Sequence, residues 1–220
     1  MTAPASRGWT WVGLAIAFLG IPAITWVHRL LAPDPLANGA IVTRELTILA
    51  LTASLLWLVV SREHEPLSSI GLRTRRIGRS LAWGLGLAVI CLIAAVGCLA
   101  VYSATGIHYG EGTVISRALP VTALTVIRAG ISEEVFYRGY AIERLQALTG
   151  SKWLAAGISL TCFAAFHFRL GLPGVFIALV LGAILTGFYL WKRDLIANIF
   201  GHFLVDFIPN VLLPALGMHN

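Results

Sequence analysis

Long apolar runs broken by short polar stretches set the pattern of this chain. The first run covers residues 9–31 and ends at His28 and Arg29. It is longer than a signal-peptide core and has no small-residue cleavage site, so it reads as a retained span. The turn-rich stretch APDPLANG follows. A second span is predicted from about Arg44 to Val60, then a polar segment, Ser61–Ser80. A third is predicted over about 81–104, where Gly84, Gly86 and Gly97 would permit close helix contact. The loop Gly106–Gly112, with His108 and Glu111 at its surface, leads to a fourth span from near Val114, broken around Gly130. Three more are predicted over about 153–168, 174–191 and 195–215. The turn RLGLPG joins the first two of these, and Pro209 interrupts the last. The expected fold is all-α: residues 1–220 form one membrane domain, a polytopic transmembrane bundle of seven helices around a polar intramembrane cavity. The count rises to eight if Val114–Leu148 holds two helices. No internal repeat of the transporter kind is visible.

Composition agrees. Of 220 residues, 58% are hydrophobic and only 12% charged, about half the charged share of a soluble domain. Mean hydropathy is +0.84. The net charge of +6 is no nucleic-acid footprint, because the basic residues fall in short loops between apolar runs. The segment 61–80 carries Arg62, Arg73, Arg75, Arg76 and Arg79, the strongest positive-inside signal, and is expected to be a cytoplasmic loop. With the N-terminus inside, eleven of the sixteen Lys and Arg fall on inside segments, Arg138 and Arg144 among them. Arg29, Arg44, Arg117 and Arg169 fall outside, and Arg128 lies at depth. The expected location is the inner membrane, multi-pass, with the N-terminus cytoplasmic and membrane lipids as partners; the arginine loop can meet anionic lipid. Trp9, Trp11, Trp26, Trp57, Trp83, Trp153 and Trp191 mostly lie near span ends, as an aromatic belt would. Cys91, Cys98 and Cys162 lack metal-like spacing and read as packing residues.

The polar residues that remain change the picture. Residues 131–144 read ISEEVFYRGYAIER. Glu134 and Arg138 are i and i+4, neighbours on a helix, with the acid in the better N-terminal position. Glu133 points elsewhere and is open to another partner. Phe163 and His167 share a face at the end of the fifth span, and His202 and Asp206 share one in the last, with Asn198 a turn earlier. A carboxylate at Asp206 can fix the tautomer of His202. Each charge at a helix centre costs roughly 2.5–3.5 kcal/mol to insert, and the set on the order of 10 kcal/mol. Such groups must face inward and meet, or line a wet cavity. A carboxylate and an imidazole converging on one water can activate it, and further donors can hold an oxyanion. Two histidines and two glutamates would also suffice for a zinc site with an open position. No H-E-x-x-H is present, and metal-bound and metal-free water stay open.

The ordered set EExxxR, FxxxH and HxxxN/D on apolar helices resembles the CAAX-protease and bacteriocin-processing (CPBP, or Abi) family of intramembrane endopeptidases. The motifs here are Glu133-Glu134 to Arg138, Phe163 to His167, and His202 to Asp206. The resemblance covers residues 114–210 as a catalytic core. It implies hydrolysis of a peptide bond in a membrane-associated, lipidated or hydrophobic substrate. It implies Glu133 as general base with His167 positioning the water, Glu134 and Arg138 orienting the site, and His202 with Asp206 stabilising the oxyanion. Members with Asn at the last position have an amide donor; Asp206 donates only when protonated, or acts through His202.

Each feature has a plainer reading. Glu134–Arg138 can be a helix-stabilising ion pair, and His202–Asp206 a structural bond between helices. Arg128 either neutralises a carboxylate or snorkels. Tyr137 and Phe136 read as packing, and Glu143 and Arg144 as interfacial surface. If a divalent metal such as zinc is present, Glu133, His167 and His202 are its expected ligands. The alternative function is non-enzymatic: a proton-coupled carrier or an immunity-type binding scaffold. Grouping of Glu133, His167 and His202 at one spot favours hydrolysis; a string of groups across the bilayer favours transport.

Overall fold

The computed structural model describes residues 4–73, 76–109 and 118–218, and these are helical with no strand. Helix α1 spans Pro4–Leu31, α2 Asn38–Ser61 and α3 Ile77–Thr105. Helix α4 (Leu119–Glu133) runs into a π-helical stretch, Glu134–Ala141, and on into α5 (Ile142–Thr149). Helix α6 (Lys152–Phe166) is followed by a 3₁₀ turn, His167–Leu170, then α7 (Gly171–Lys192) and α8 (Leu195–Phe207). A π turn at Ile208–Leu212 leads to α9 (Leu213–Ala215).

Among the described residues, five helical stretches are long and apolar enough to cross a membrane: Gly8–Leu31, Asn38–Ser61, Ile77–Thr105, Lys152–Lys192 and Leu195–Ala215. The fourth joins α6 and α7. Large apolar side chains point outward all around, among them Leu19, Ile93, Val96 and Leu172. The seven tryptophans are all exposed. The inside holds the charge: Glu45, Glu134 and Arg138 are almost fully buried. This is the inverse of a water-soluble domain, where buried charge is rare.

Several boundaries differ from the sequence reading. Helix α2 starts at Asn38, so Arg44 and Glu45 lie inside it rather than at its mouth; their charges have partners, described below. The chain does not break at Gly130. That residue packs on the backbone of Phe203, whose Cα would sit 3.2 Å from an added Cβ, and the irregularity falls at the π stretch instead. RLGLPG is not a free turn, because α7 begins at Gly171. Pro209 does interrupt the last span, as a π turn. The expected fourth-span start at Val114, Glu111, Arg117 and Arg75 lie outside the described residues.

Packing places the site. Helix α8 lies against α3 and α4. A Cβ at Gly84 would sit 2.7 Å from Ala197 O, and one at Gly201 would sit 3.1 Å from Gly84 O, so the two backbones nearly touch. Gly86 and Gly97 have nothing within 4 Å and make no such contact. Eight consecutive residues, Glu134–Ala141, are buried, so the π stretch forms the axis of the bundle. Its wider turn is the kind of irregularity that often marks functional sites.

The far end of this axis is tied down by charge. Glu63 accepts from Tyr140 Oη at 2.7 Å and from Arg144 Nε at 2.9 Å. Glu143 accepts from Arg193 Nε at 2.7 Å and from Tyr189 Oη at 2.9 Å. Glu143 and Arg144 are therefore half-buried braces between helices, not the surface residues expected. Arg138 is 1% exposed and belongs to the interior, not to the inside-loop count.

Candidate active site

Glu133 and Glu134 are adjacent, yet they enter separate networks. Glu133 Oε1 accepts from Arg128 Nη1 at 2.9 Å. The same guanidinium donates through Nε to Glu45 Oε2, and Glu45 Oε1 accepts from Arg44 Nε at 2.8 Å. Arg128 thus neutralises carboxylates rather than snorkelling. The other Glu133 oxygen makes no hydrogen bond among the described residues.

Glu134 is fully buried. Its Oε1 accepts from Arg138 Nη1 at 2.8 Å and from His202 Nδ1 at 2.8 Å, and its Oε2 accepts from Asn198 Nδ2 at 3.1 Å. Asn198 also donates to Leu185 O at 2.9 Å, leaving its own Oδ1 buried without a partner. Arg138 donates to Gly182 O at 3.3 Å and lies over the Phe163 ring, 4.0 Å from its centroid. A Cβ at Gly182 would sit 2.9 Å from Phe163, so glycine is what lets α7 come this close.

Phe163 is the hinge of the aromatic set. Its ring centroid lies 4.9 Å from that of His167 and 6.4 Å from that of His202. His167 sits in the 3₁₀ turn just beyond α6, and its Nδ1 donates to Phe163 O at 2.9 Å. A carbonyl can only accept, so Nδ1 carries the hydrogen; in the neutral ring Nε2 then holds the lone pair. His202 Nε2 lies 3.5 Å from Asp206 Oδ2.

These groups meet at one cavity of about 320 Å³. Glu133, His167, His202 and Asp206 line it, delivered by three different segments of chain: α4, the 3₁₀ turn after α6, and α8. Glu134 and Arg138 lie behind its wall. Tyr109, Thr122, Asn210 and Cys91 also line it. Burial raises the pKa of the Tyr109 phenol and the nearby Asp206 charge adds to it, so Tyr109 remains a hydroxyl at neutral pH. Sequence reasoning passed over Glu45 and Tyr109. Glu45 left one signal: a carboxylate within an apolar run, next to an arginine.

Among the described residues no three His, Cys, Asp or Glu side chains are grouped to hold an ion. Nδ1 of His202 donates to Glu134 and Nδ1 of His167 to Phe163 O, so Nε2 is the ring nitrogen each histidine can offer to the cavity. Glu133, His167 and His202 share the cavity wall without forming a ligand cluster.

Residues 115–208 match the family model described as Type II CAAX prenyl endopeptidase Rce1-like. Over these residues the chain is similar to the Rce1-like family. This similarity agrees with the resemblance drawn from the three motifs. The Rce1-like segment runs from just before α4 to the end of α8 and contains every cavity residue expected from sequence; α1, α2 and Glu45 lie outside it. No curated protein and no solved structure gave a significant match to the chain.

Proposed function

We propose that the chain is an intramembrane endopeptidase that hydrolyses a peptide bond in a membrane-associated, lipidated or hydrophobic substrate. The observation that carries this reading is the shared cavity: Glu133 and His167 line the same wall, within a segment similar to a family of CAAX-type proteases. A water held between them can lose its proton to the Glu133 carboxylate as it attacks the scissile carbonyl. Arg128 holds one Glu133 oxygen and leaves the other for the water. His167, oriented by Phe163 O, offers Nε2 to the same water.

His202 serves the oxyanion. In its protonated form Nε2–H can donate to the oxygen that becomes negative in the tetrahedral state. Glu134 fixes the ring from its far side, and Arg138 and Asn198 fix Glu134. Asp206 works through His202 rather than as a second donor, since a carboxylate is an acceptor. The proton taken by Glu133 returns to the leaving amine, which completes the balance for hydrolysis.

The bundle reads as seven crossings, with α4, the π stretch and α5 as a charged crossing shielded by the rest. The arginine segment 61–80 supports a cytoplasmic N-terminus. The test is incubation of purified protein with prenylated and unmodified hydrophobic peptides, with products identified by mass spectrometry. Cleavage that is lost in Glu133→Gln and in His167→Ala, with both variants still folded, is the expected result. Full activity in purified Glu133→Gln would remove Glu133 as the base.

A further inference from the structure

A second cavity, of about 280 Å³, lies at the α7–α8 junction, lined by Arg73, Arg76, Arg79, Ser80, Lys192, Arg193 and Asp194. Five of the seven are cations. The one acid, Asp194, is already engaged: it caps α8 by accepting from Ala197 N at 3.1 Å, and accepts from Ser80 Oγ at 2.7 Å. Arg193 is paired with Glu143. Among the described residues Arg73, Arg76 and Arg79 have no acidic partner. Three unpaired guanidinium groups and an ammonium around one concavity repel one another unless an anion joins them. The N-terminus of α3 opens beside them, with Arg76 at its cap and no acid in its first turn, which adds partial positive charge.

Charge counting for topology does not explain this arrangement. The positive-inside rule asks only that arginines lie on one side. It does not require those of the 61–80 segment to meet Lys192 and Arg193, which come from a distant part of the chain. A second observation sets the depth. Lys192 Nζ lies 3.4 Å from the Trp191 ring centroid and 4.5 Å from that of Trp83. Both rings are exposed and meet edge to face at 5.4 Å. Exposed tryptophans beside a lysine mark the level of lipid headgroups.

We infer that this cavity binds the phosphate of an anionic phospholipid headgroup, with Arg73, Arg76, Arg79 and Lys192 as its ligands and Trp83 and Trp191 against the glycerol and upper acyl chain. Arginine forks match phosphate oxygens in pairs, and Lys192 supplies a point charge. The site shares no lining residue with the Glu133 cavity and does not rest on the proposed chemistry.

The test is thermal unfolding of the full chain in neutral detergent, titrated with short-chain phosphatidylglycerol, short-chain phosphatidylcholine or inorganic phosphate. Phosphatidylglycerol is expected to raise the melting temperature at concentrations where the other two do not. In Arg76→Gln/Arg79→Gln its midpoint should weaken on the order of tenfold or more. Arg62→Gln removes a cation outside the pocket, one stacked on Trp9 and Trp57, and should leave the midpoint unchanged. If the double variant does not fold, Arg73→Gln and Lys192→Gln are each expected to weaken it roughly fivefold. Equal response to phosphatidylcholine, or a midpoint indifferent to these substitutions, would overturn the site. Inorganic phosphate matching phosphatidylglycerol would overturn the lipid as its source.

Discussion

Glu45 on α2 and Glu133 at the end of α4 share one counter-ion, Arg128, which donates to both. The proposed base is thereby coupled to a helix outside the Rce1-like segment. Removing the shared cation strands two buried carboxylates, and breaking a buried pair costs about 3–5 kcal/mol. Arg128→Met is therefore expected to melt well below the wild type, and Glu45→Gln/Arg128→Met to recover part of that loss. Melting curves in detergent for the singles and the double read the coupling directly. Simple additivity would show that the two residues do not act as a unit.

The adjacent glutamates should part company when each is changed to glutamine. Glu133 lines the cavity and has one partner, so Glu133→Gln is expected to keep the fold and lose cleavage. Glu134 holds Arg138, His202 and Asn198 away from solvent, so Glu134→Gln is expected to lose several kcal/mol of stability as well as activity. Paired melting and peptide-cleavage measurements on the two variants separate these outcomes.

Gly182 is a second place where a small change should be felt. An added methyl would press on Leu160 and on Phe163, the ring that touches both histidines and Arg138. Overpacking of this kind costs typically 1–3 kcal/mol, and here it should also displace His167. Gly182→Ala is expected to reduce turnover markedly, while Gly187→Ala, with open space around it, should not. Equal turnover in the two would mean Phe163 yields without moving the site.

Asn198 gives the fourth prediction. It donates to Glu134 and to Leu185 O. Asn198→Ala leaves two buried acceptors short of a donor, about 1–3 kcal/mol. Asn198→Asp should be worse, because it sets a carboxylate against Glu134. The order of melting temperatures, wild type above Ala above Asp, is the check.

The motifs were legible because they are local. Glu134–Arg138, Phe163–His167 and His202–Asp206 each lie one helical turn apart, and all three make the contacts their spacing suggests. The hydrophobic runs likewise marked most helices to within a few residues. The failures share a cause of the opposite kind. Glu45, Glu63 and Glu143 find their arginines across the bundle, at sequence separations that no periodicity records. Gly182 reveals its purpose only through a neighbour on another helix.

Sequence alone determined that the chain is helical and apolar on the outside, and which ionisable groups would be costly in lipid, because hydrogen-bond geometry and insertion free energy act on each segment separately. Tertiary structure decided which carboxylate meets which cation. It also decided that Glu133 faces a cavity while Glu134 is walled in, and that the irregular turn falls at Glu134–Ala141 rather than at Gly130. Those outcomes depend on how close two helices can come, and that is set by side chains on both at once.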